Sequence, residues 1–185
     1  MTDKEAIYYE LLVLRCRRGQ KSAFEELIRM WEKRLFYYIR RIVDDENDAC
    51  QILQETWVKV LRGIRKLREP RKLPVWLYRT ARNTAITHLR HEYARKSLLE
   101  NNDNTSREIG PDPLLQFVDV EQIHYGLGQI SLPHREILTL FFLRDLSLEE
   151  VANVLEVPVG TVKSRLYYAK RSMKRVLEQK EQGNE

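Results

Sequence analysis

The residues best suited to contact another molecule form a cationic, hydroxyl-rich cluster in the last third of the chain. The cluster comprises Thr161, Lys163, Ser164, Arg165, Tyr167, Tyr168 and Arg171. Residues 163–175 hold six basic and no acidic side chains. Such side chains donate hydrogen bonds to phosphate oxygens and to base edges. The cluster therefore predicts a nucleic-acid contact rather than a catalytic centre.

A second cationic strip precedes this cluster, at residues 62–95, where ten basic side chains accompany two acidic ones. Residues 117–156, between the two strips, hold two basic and seven acidic side chains. Two separated basic patches indicate a polyanion that is touched at two places. From charge alone, the alternative that both strips are solvated helix faces stays open.

The sequence carries no pattern typical of catalysis, a cofactor or a metal site. Cys16 and Cys50 form no Cys-x-x-Cys pair, and no phosphate-binding glycine loop is present. His88 and His91 are three residues apart but lack further ligands at suitable spacing, so we interpret them as surface or phosphate-contacting histidines. The longest apolar run, near residues 137–143, is too short for a membrane span. We expect a cytoplasmic, non-enzymatic protein without direct membrane insertion.

Helical periodicity dominates the first half of the chain. A Ser-x-x-Glu pattern at Ser22 and Glu25 predicts a capping box at the start of a helix. Its apolar stripe is Phe24, Leu27, Ile28, Trp31, Leu35, Tyr38 and Ile42. A second helix is predicted after the acidic run 44–48, with Gly63 as its stop. Its apolar face is Ala49, Ile52, Leu53, Thr56 and Val60. A third helix is predicted from Pro74 to about Arg95.

Residues 97–116 lack periodicity and are rich in Asn, Asp, Gly and Pro, which is typical of a flexible linker. Helical periodicity returns after it. The sequence thus predicts an all-α protein of two small helical domains, residues 1–96 and 117–185, joined by the linker.

The second domain contains the pattern of a helix-turn-helix. Ser147 and Glu150 predict a capping box, and a break at 156–158 separates this helix from one that begins near Val159. The apolar stripe of the second helix is Val162, Leu166, Ala169, Met173 and Leu177. Its opposite face carries the cationic cluster, as expected of a recognition helix in the major groove. An ordinary αα-hairpin with a basic outer face is the alternative.

Three strings in this order resemble the extracytoplasmic-function sigma factors of bacteria. They are DACQILQETW at 48–57, WLYRTARN at 76–83 and VPVGTVKSR at 157–165. The resemblance covers about residues 20–95 and 118–178. It implies a subunit that binds core RNA polymerase and directs it to promoters, with an anti-sigma factor as a second partner.

The resemblance also implies a role for each group of residues. The set expected to contact core polymerase, at the β′ clamp, is Gln51, Gln54, Glu55, Val58 and Arg62. The set expected to open the promoter −10 element is Arg65, Lys66, Arg68, Arg71, Lys72, Trp76, Arg79 and Asn83. The cationic cluster of the last helix would read the −35 element as duplex, and the second domain would also meet the β flap of the polymerase. Trp76 is either a wedge at the duplex fork or a core residue packed against Trp31 or Trp57.

Some positions depart from the family pattern. Cys50 and Gln51 stand where acidic residues are usual, and Leu73 replaces an aromatic residue three positions before Trp76. Two other classes of protein were weighed. An autonomous helix-turn-helix repressor would leave the Gln54–Glu55 face without a role. A DNA-processing enzyme would require an acidic metal cluster within residues 65–95, where only Glu69 and Glu92 occur.

Overall fold

The structure is a computed structural model that describes residues 3–99 and 118–182. Within these two ranges all regular secondary structure is helical. The chain divides into two compact units, residues 1–99 and 100–185. The prediction of an all-α protein with two helical domains is confirmed. Most of the predicted linker, 97–116, lies outside the described residues, so its flexibility and the domain boundaries stay predictions.

The first unit consists of four helices. They are α1 (Asp3–Arg17), α2 (Lys21–Ile39), α3 (Glu46–Gly63) and α4 (Leu73–Leu99), with single 3-10 turns at Ile64–Lys66 and Pro70–Lys72. The predicted apolar face of α3 is buried at every position, which confirms that stripe. In α2, Leu27, Trp31 and Leu35 are likewise buried, whereas Phe24 is only partly covered. Burial of such stripes is the main favourable contribution to the stability of a small helical unit.

The capping box predicted at Ser22 is wrong. Helix α2 begins at Lys21, one residue earlier, so Ser22 already lies inside its first turn. Gln20 occupies the N-cap position and makes no side-chain capping bond, because its amide oxygen accepts from Arg15 Nε at 3.1 Å. Gly19 before it has a φ of 77°, a left-handed conformation that glycine adopts without strain. This turn, rather than a serine cap, sets the start of α2.

The end of α3 is shaped by the helix that follows the loop. Helix α3 ends at Gly63, as predicted. A Cβ added at Gly63 would lie 3.0 Å from Cζ2 of Trp76. Gly63 has a φ of −93°, so this position needs glycine for the space that Trp76 occupies rather than for a left-handed backbone. Pro74 lies in the first turn of α4, where its missing N–H leaves no hydrogen bond unmade.

The second unit contains α5 (Val118–Gln129), α6 (Leu132–Leu138), a π-helical turn (Thr139–Leu143), α7 (Leu148–Leu155) and α8 (Val159–Gln182). The capping box at the start of α7 is confirmed: Ser147 Oγ accepts from Glu150 N at 3.2 Å, and Glu150 Oε2 accepts from Ser147 N at 2.8 Å. The turn from α7 into α8 passes through Glu156, whose φ is 57°. Val162, Leu166 and Ala169 of α8 are buried, and α8 packs against α7.

Candidate functional site

The polar face of α3 is formed by the residues expected to contact the polymerase. Gln51, Gln54, Glu55, Val58 and Arg62 are all exposed, opposite the buried stripe of the same helix. Gln51 Nε2 donates to Glu55 Oε1 at 3.3 Å, which holds the carboxylate one turn from the amide. Leu61 beside them is 55% exposed, an apolar position that sequence analysis did not single out.

The five cations of the loop between α3 and α4 are not equivalent. Arg71 Nε lies 2.9 Å from Glu10 Oε1 of α1, and Glu10 raises the pKa of Arg71 above its ordinary value. Lys72 Nζ pairs with Glu69 at 2.8 Å. Within the described residues, Lys66 and Arg68 are exposed and have no ion-pair partner. These two are therefore the cations of this loop best placed to attract a phosphate.

Trp76 packs on the end of α3 and remains partly exposed. The aromatic neighbours of Trp31 are Tyr9 and Tyr78, with ring centroids 6.0 and 5.6 Å away, and those of Trp57 include Phe24 at 6.3 Å. The described ring contacts of Trp31 and Trp57 therefore do not include Trp76, contrary to the alternative that it packs against one of them. The Trp76 indole packs against Gly63 instead.

Two further residues of the predicted −10 set lie on the same helix as Trp76. Arg79 and Asn83 are exposed. Next to them, Lys59 Nζ donates to Thr84 Oγ1 at 3.0 Å and so ties α3 to α4. The loop cations, the indole and the polar side chains of α4 therefore lie in the helical corner formed by α3, α4 and the loop between them.

Helix α8 presents the cationic cluster to solvent. Lys163, Ser164 and Arg171 are exposed, and Tyr167 and Tyr168 are each 56% exposed, whereas Thr161 and Arg165 are partly buried. The rings of the two tyrosines meet edge to face with centroids 5.4 Å apart, and the Arg171 guanidinium lies 5.8 Å from the Tyr167 centroid. Ser164 Oγ donates to Thr161 O at 3.1 Å. The face combines exposed cations with two phenols held edge to face, and both kinds of side chain can donate to phosphates and base edges.

An apolar groove of about 540 Å³ in the second unit was not predicted. Its lining includes Leu127, Leu138, Phe142, Met173 and Leu177. Met173 and Leu177 were expected in the core, but they are only partly buried because they form the floor of this groove. Phe142 is 51% exposed because the π-helical turn carries it outward. Lys170, Lys174 and Glu178 also line it, and Lys174 Nζ lies 3.5 Å from Glu178 Oε1.

The histidines noted in the sequence have different environments. His88 Nε2 lies 3.3 Å from Asp48 Oδ1, and the His88 side chain is only 14% exposed, so it is largely covered rather than a surface side chain. Its alternative role as a phosphate contact stays a prediction. His91 is exposed. In the described part of the chain, no three His, Cys, Asp or Glu side chains come close enough to hold a metal ion. No helix in ranges 3–99 and 118–182 has the length and apolar content to cross a membrane.

Comparison with known proteins matches both units. Residues 27–95 fit the family described as sigma-70 region 2, and residues 127–175 fit sigma-70 region 4. The RNA polymerase sigma-H factor of Pseudomonas aeruginosa is 30% identical over 181 residues, covering 90% of this chain and 92% of that protein. The ECF RNA polymerase sigma-E factor of Haemophilus influenzae is 30% identical over 178 residues, covering 90% and 93%. The chain is an extracytoplasmic-function sigma factor.

Solved structures support the fold of this sigma factor. It matches CnrH in complex with the cytosolic domain of CnrY with a TM-score of 0.67, at 19% identity and covering 91% and 96% of the two chains. It matches RpoE in complex with the anti-sigma factor NepR from Bartonella quintana with a TM-score of 0.69, at 20% identity and covering 84% and 96%. Family membership means that the protein directs RNA polymerase to promoters, and no comparison favours the alternative of an autonomous repressor.

Proposed function

We propose that the sigma factor docks on the β′ clamp of core polymerase through the polar face of α3. The supporting observation is that all five expected residues are exposed on one face of a helix whose other face is buried. Because Gln54 and Glu55 lie on one preformed helix, their backbone loses little conformational freedom on binding. The protein then acts by binding and positioning, not by catalysis.

The polymerase contact can be tested by gel filtration with sigma-free core enzyme. We expect a one-to-one complex that Glu55→Lys weakens, because the reversal places a cation on the docking face and removes the bond from Gln51. Glu32→Lys is the matched control, since Glu32 is an exposed residue of α2. Equal loss of complex with both variants would show that net charge, not the α3 face, governs assembly.

We propose that the helical corner around Trp76 opens the −10 element. Lys66 and Arg68 would hold the strand by its phosphates, and Arg71 and Lys72 would join them by exchanging their carboxylate partners. Arg65 would add a further cation from the same loop. Extruded bases can stack on the exposed part of the indole, with Arg79 and Asn83 as polar contacts on the same helix. Such stacking is worth about 1–3 kcal/mol per base, enough to offset the few kcal/mol that unstacking costs.

Strand opening can be measured by permanganate reactivity of promoter thymines. Trp76→Ala should leave closed-complex binding intact and slow opening, because only the unstacked bases use the indole. Tyr93→Ala serves as the control, since Tyr93 lies on the same helix and is 73% exposed. A fall in thermal stability without an opening defect would assign Trp76 a packing role alone.

We propose that α8 reads the −35 element from the major groove. The support is that residues 163–175 hold no acidic side chain and that Lys163, Arg171 and both tyrosines are exposed, while Val162 and Ala169 are buried. Lys163, Ser164 and Arg171 can reach bases or phosphates directly. Because this site and the −10 site belong to one chain, binding of one to the promoter raises the effective concentration of the other near its own element, and the overall affinity for the promoter increases.

We propose that the apolar groove of the second unit receives the β flap of the polymerase. Its apolar lining, which includes the half-exposed Phe142, fits an apolar segment of that flap. Phe142→Asp should therefore weaken the complex with core enzyme, because it buries a carboxylate on docking. The two similar structures are complexes, one of CnrH with the cytosolic domain of CnrY and one of RpoE with the anti-sigma factor NepR, and we extend such a partner to this protein. It would act in the cytoplasm and could be held at the membrane by that partner.

A further inference from the structure

A cavity of about 550 Å³ lies in the first unit, between the turn that joins α1 to α2 and the end of α3. Cys16, Phe24, Leu61 and Ile64 give it an apolar floor. Burial raises the pKa of the Cys16 thiol, so this part of the floor is uncharged near neutral pH. The volume is that of a site for a small molecule, typically about 300–1,000 Å³.

Three cations surround this floor. Lys21, Arg62 and Arg65 line the cavity, and none of the described residues that line it is acidic. Arg62 and Arg65 have no ion-pair partner within residues 3–99 and 118–182. Lys21 Nζ lies 3.8 Å from Glu25, but both side chains are exposed and such a pair is weak. The cavity therefore holds a positive charge that the protein itself does not neutralise.

Two features of the α1–α2 turn add to this charge. The start of α2 borders the cavity with no acidic residue in its first turn and no side-chain cap, so the positive end of the helix dipole is available. Arg65 Nη2 lies only 3.9 Å from the position that a Cβ would take on Gly19. The guanidinium thus reaches from the 3-10 turn after α3 to the α1–α2 turn, and both residues line the cavity.

This combination selects one class of ligand. A single carboxylate would leave most of the three cations unpaired, whereas a chain of phosphates can contact each of them with charge-assisted hydrogen bonds. The Phe24 ring and the exposed Leu61 side chain offer an apolar surface to a flat base. We propose that the cavity binds a nucleoside polyphosphate, with its phosphates at Lys21, Arg62 and Arg65 and its base on the apolar floor.

The test is isothermal titration of the full chain with ATP, ADP, AMP and pyrophosphate. We expect one ATP per chain, with affinity falling from ATP to ADP to AMP because fewer cations are engaged. Lys21→Gln and Arg65→Gln should each weaken ATP binding about tenfold, since each removes charge-assisted hydrogen bonds. Lys33→Gln is the matched control: Lys33 is an exposed lysine of the same helix and does not line the cavity.

A fourth variant separates the base from the phosphates. Leu61→Gln should weaken ATP binding and leave pyrophosphate binding unchanged, and thermal melts confirm that each variant folds. Absence of ATP binding at millimolar concentration, or equal weakening by Lys33→Gln, would overturn the site. Pyrophosphate binding as tightly as ATP would overturn the assignment to a nucleoside. The titration uses neither polymerase nor promoter, so its failure would leave the proposed promoter functions standing.

Discussion

Replacing Ser147 by alanine should destabilise the second unit and leave the first unchanged. The variant loses the hydroxyl that accepts from Glu150 N at 3.2 Å, whereas the backbone N–H of residue 147, which donates to Glu150 Oε2 at 2.8 Å, is kept. Loss of an N-cap of this kind costs about 1 kcal/mol, within a range of about 0.5–2. For a unit of this size, 1 kcal/mol corresponds to a decrease in melting temperature of about 4–8 °C.

The two units can be followed separately because Trp31, Trp57 and Trp76 all belong to the first. Tryptophan fluorescence reports the first unit alone, and far-UV circular dichroism reports both. Ser147→Ala should lower the melting temperature in the dichroism trace without shifting the fluorescence transition. Glu150→Gln, which keeps an acceptor for Ser147 N, should cost less than Glu150→Ala.

Ser22→Ala is the control for this reasoning. The same Ser-x-x-Glu pattern occurs at Ser22, yet Ser22 lies within the first turn of α2 and caps nothing. Because alanine is the better helix former by up to about 0.5 kcal/mol, this variant should be neutral or slightly stabilising. Equal destabilisation by the two substitutions, or no change in the second unit on Ser147→Ala, would refute the assignment of the caps.

Two further predictions concern DNA reading and acid stability. Arg171→Ala should weaken −35 binding by about 1–3 kcal/mol if the side chain reads a base, as measured by titration of duplexes that differ at single positions. An equal loss of affinity for every duplex, with a weaker dependence of affinity on salt concentration, would mean that Arg171 contacts only phosphate. The hydrogen bond from the Tyr8 hydroxyl is the main cause that lowers the pKa of Glu26 below its ordinary value of 4.5. The ionised Glu26 therefore stabilises the fold fully above pH 4.5, and this contribution is lost as the pH falls through the lowered pKa. Tyr8→Phe should therefore flatten the loss of first-unit stability on acidification, followed by tryptophan fluorescence, and an unchanged acid slope would contradict this.

Periodicity predicted helices α2, α3, α4, α7 and α8 and the buried face of α3, whereas α1, α5 and α6 were not predicted as separate helices. Every apolar position assigned to α3 is buried, because a helix with a strong stripe has one face that can meet the core. The same pattern predicts the exposed residues of α3 and α8, because they lie on the face opposite the apolar stripe. Resemblance supplied their candidate roles, and the comparisons establish the family, not the role of each residue.

The missed features depend on contacts between distant parts of the chain. The ion pair of Arg71 with Glu10 joins residues 61 positions apart, and no local pattern indicates it. The packing of Trp76 on Gly63 depends on how the loop returns to α3. The exposure of Phe142 depends on one π-helical turn, which shifts the apolar register in a way that helical periodicity does not anticipate.

The two ends of α7 show how the helix-turn-helix could be made more robust. Asp145 and Glu156 have φ values of 53° and 57°, a conformation that costs a residue other than glycine about 1–2 kcal/mol. Between them lies a helix of eight residues, too short to be stable alone. We expect that opening of α7 would release this strain. An engineer could therefore raise the heat tolerance of this protein at its two bends, without altering any side chain that is predicted to face the promoter.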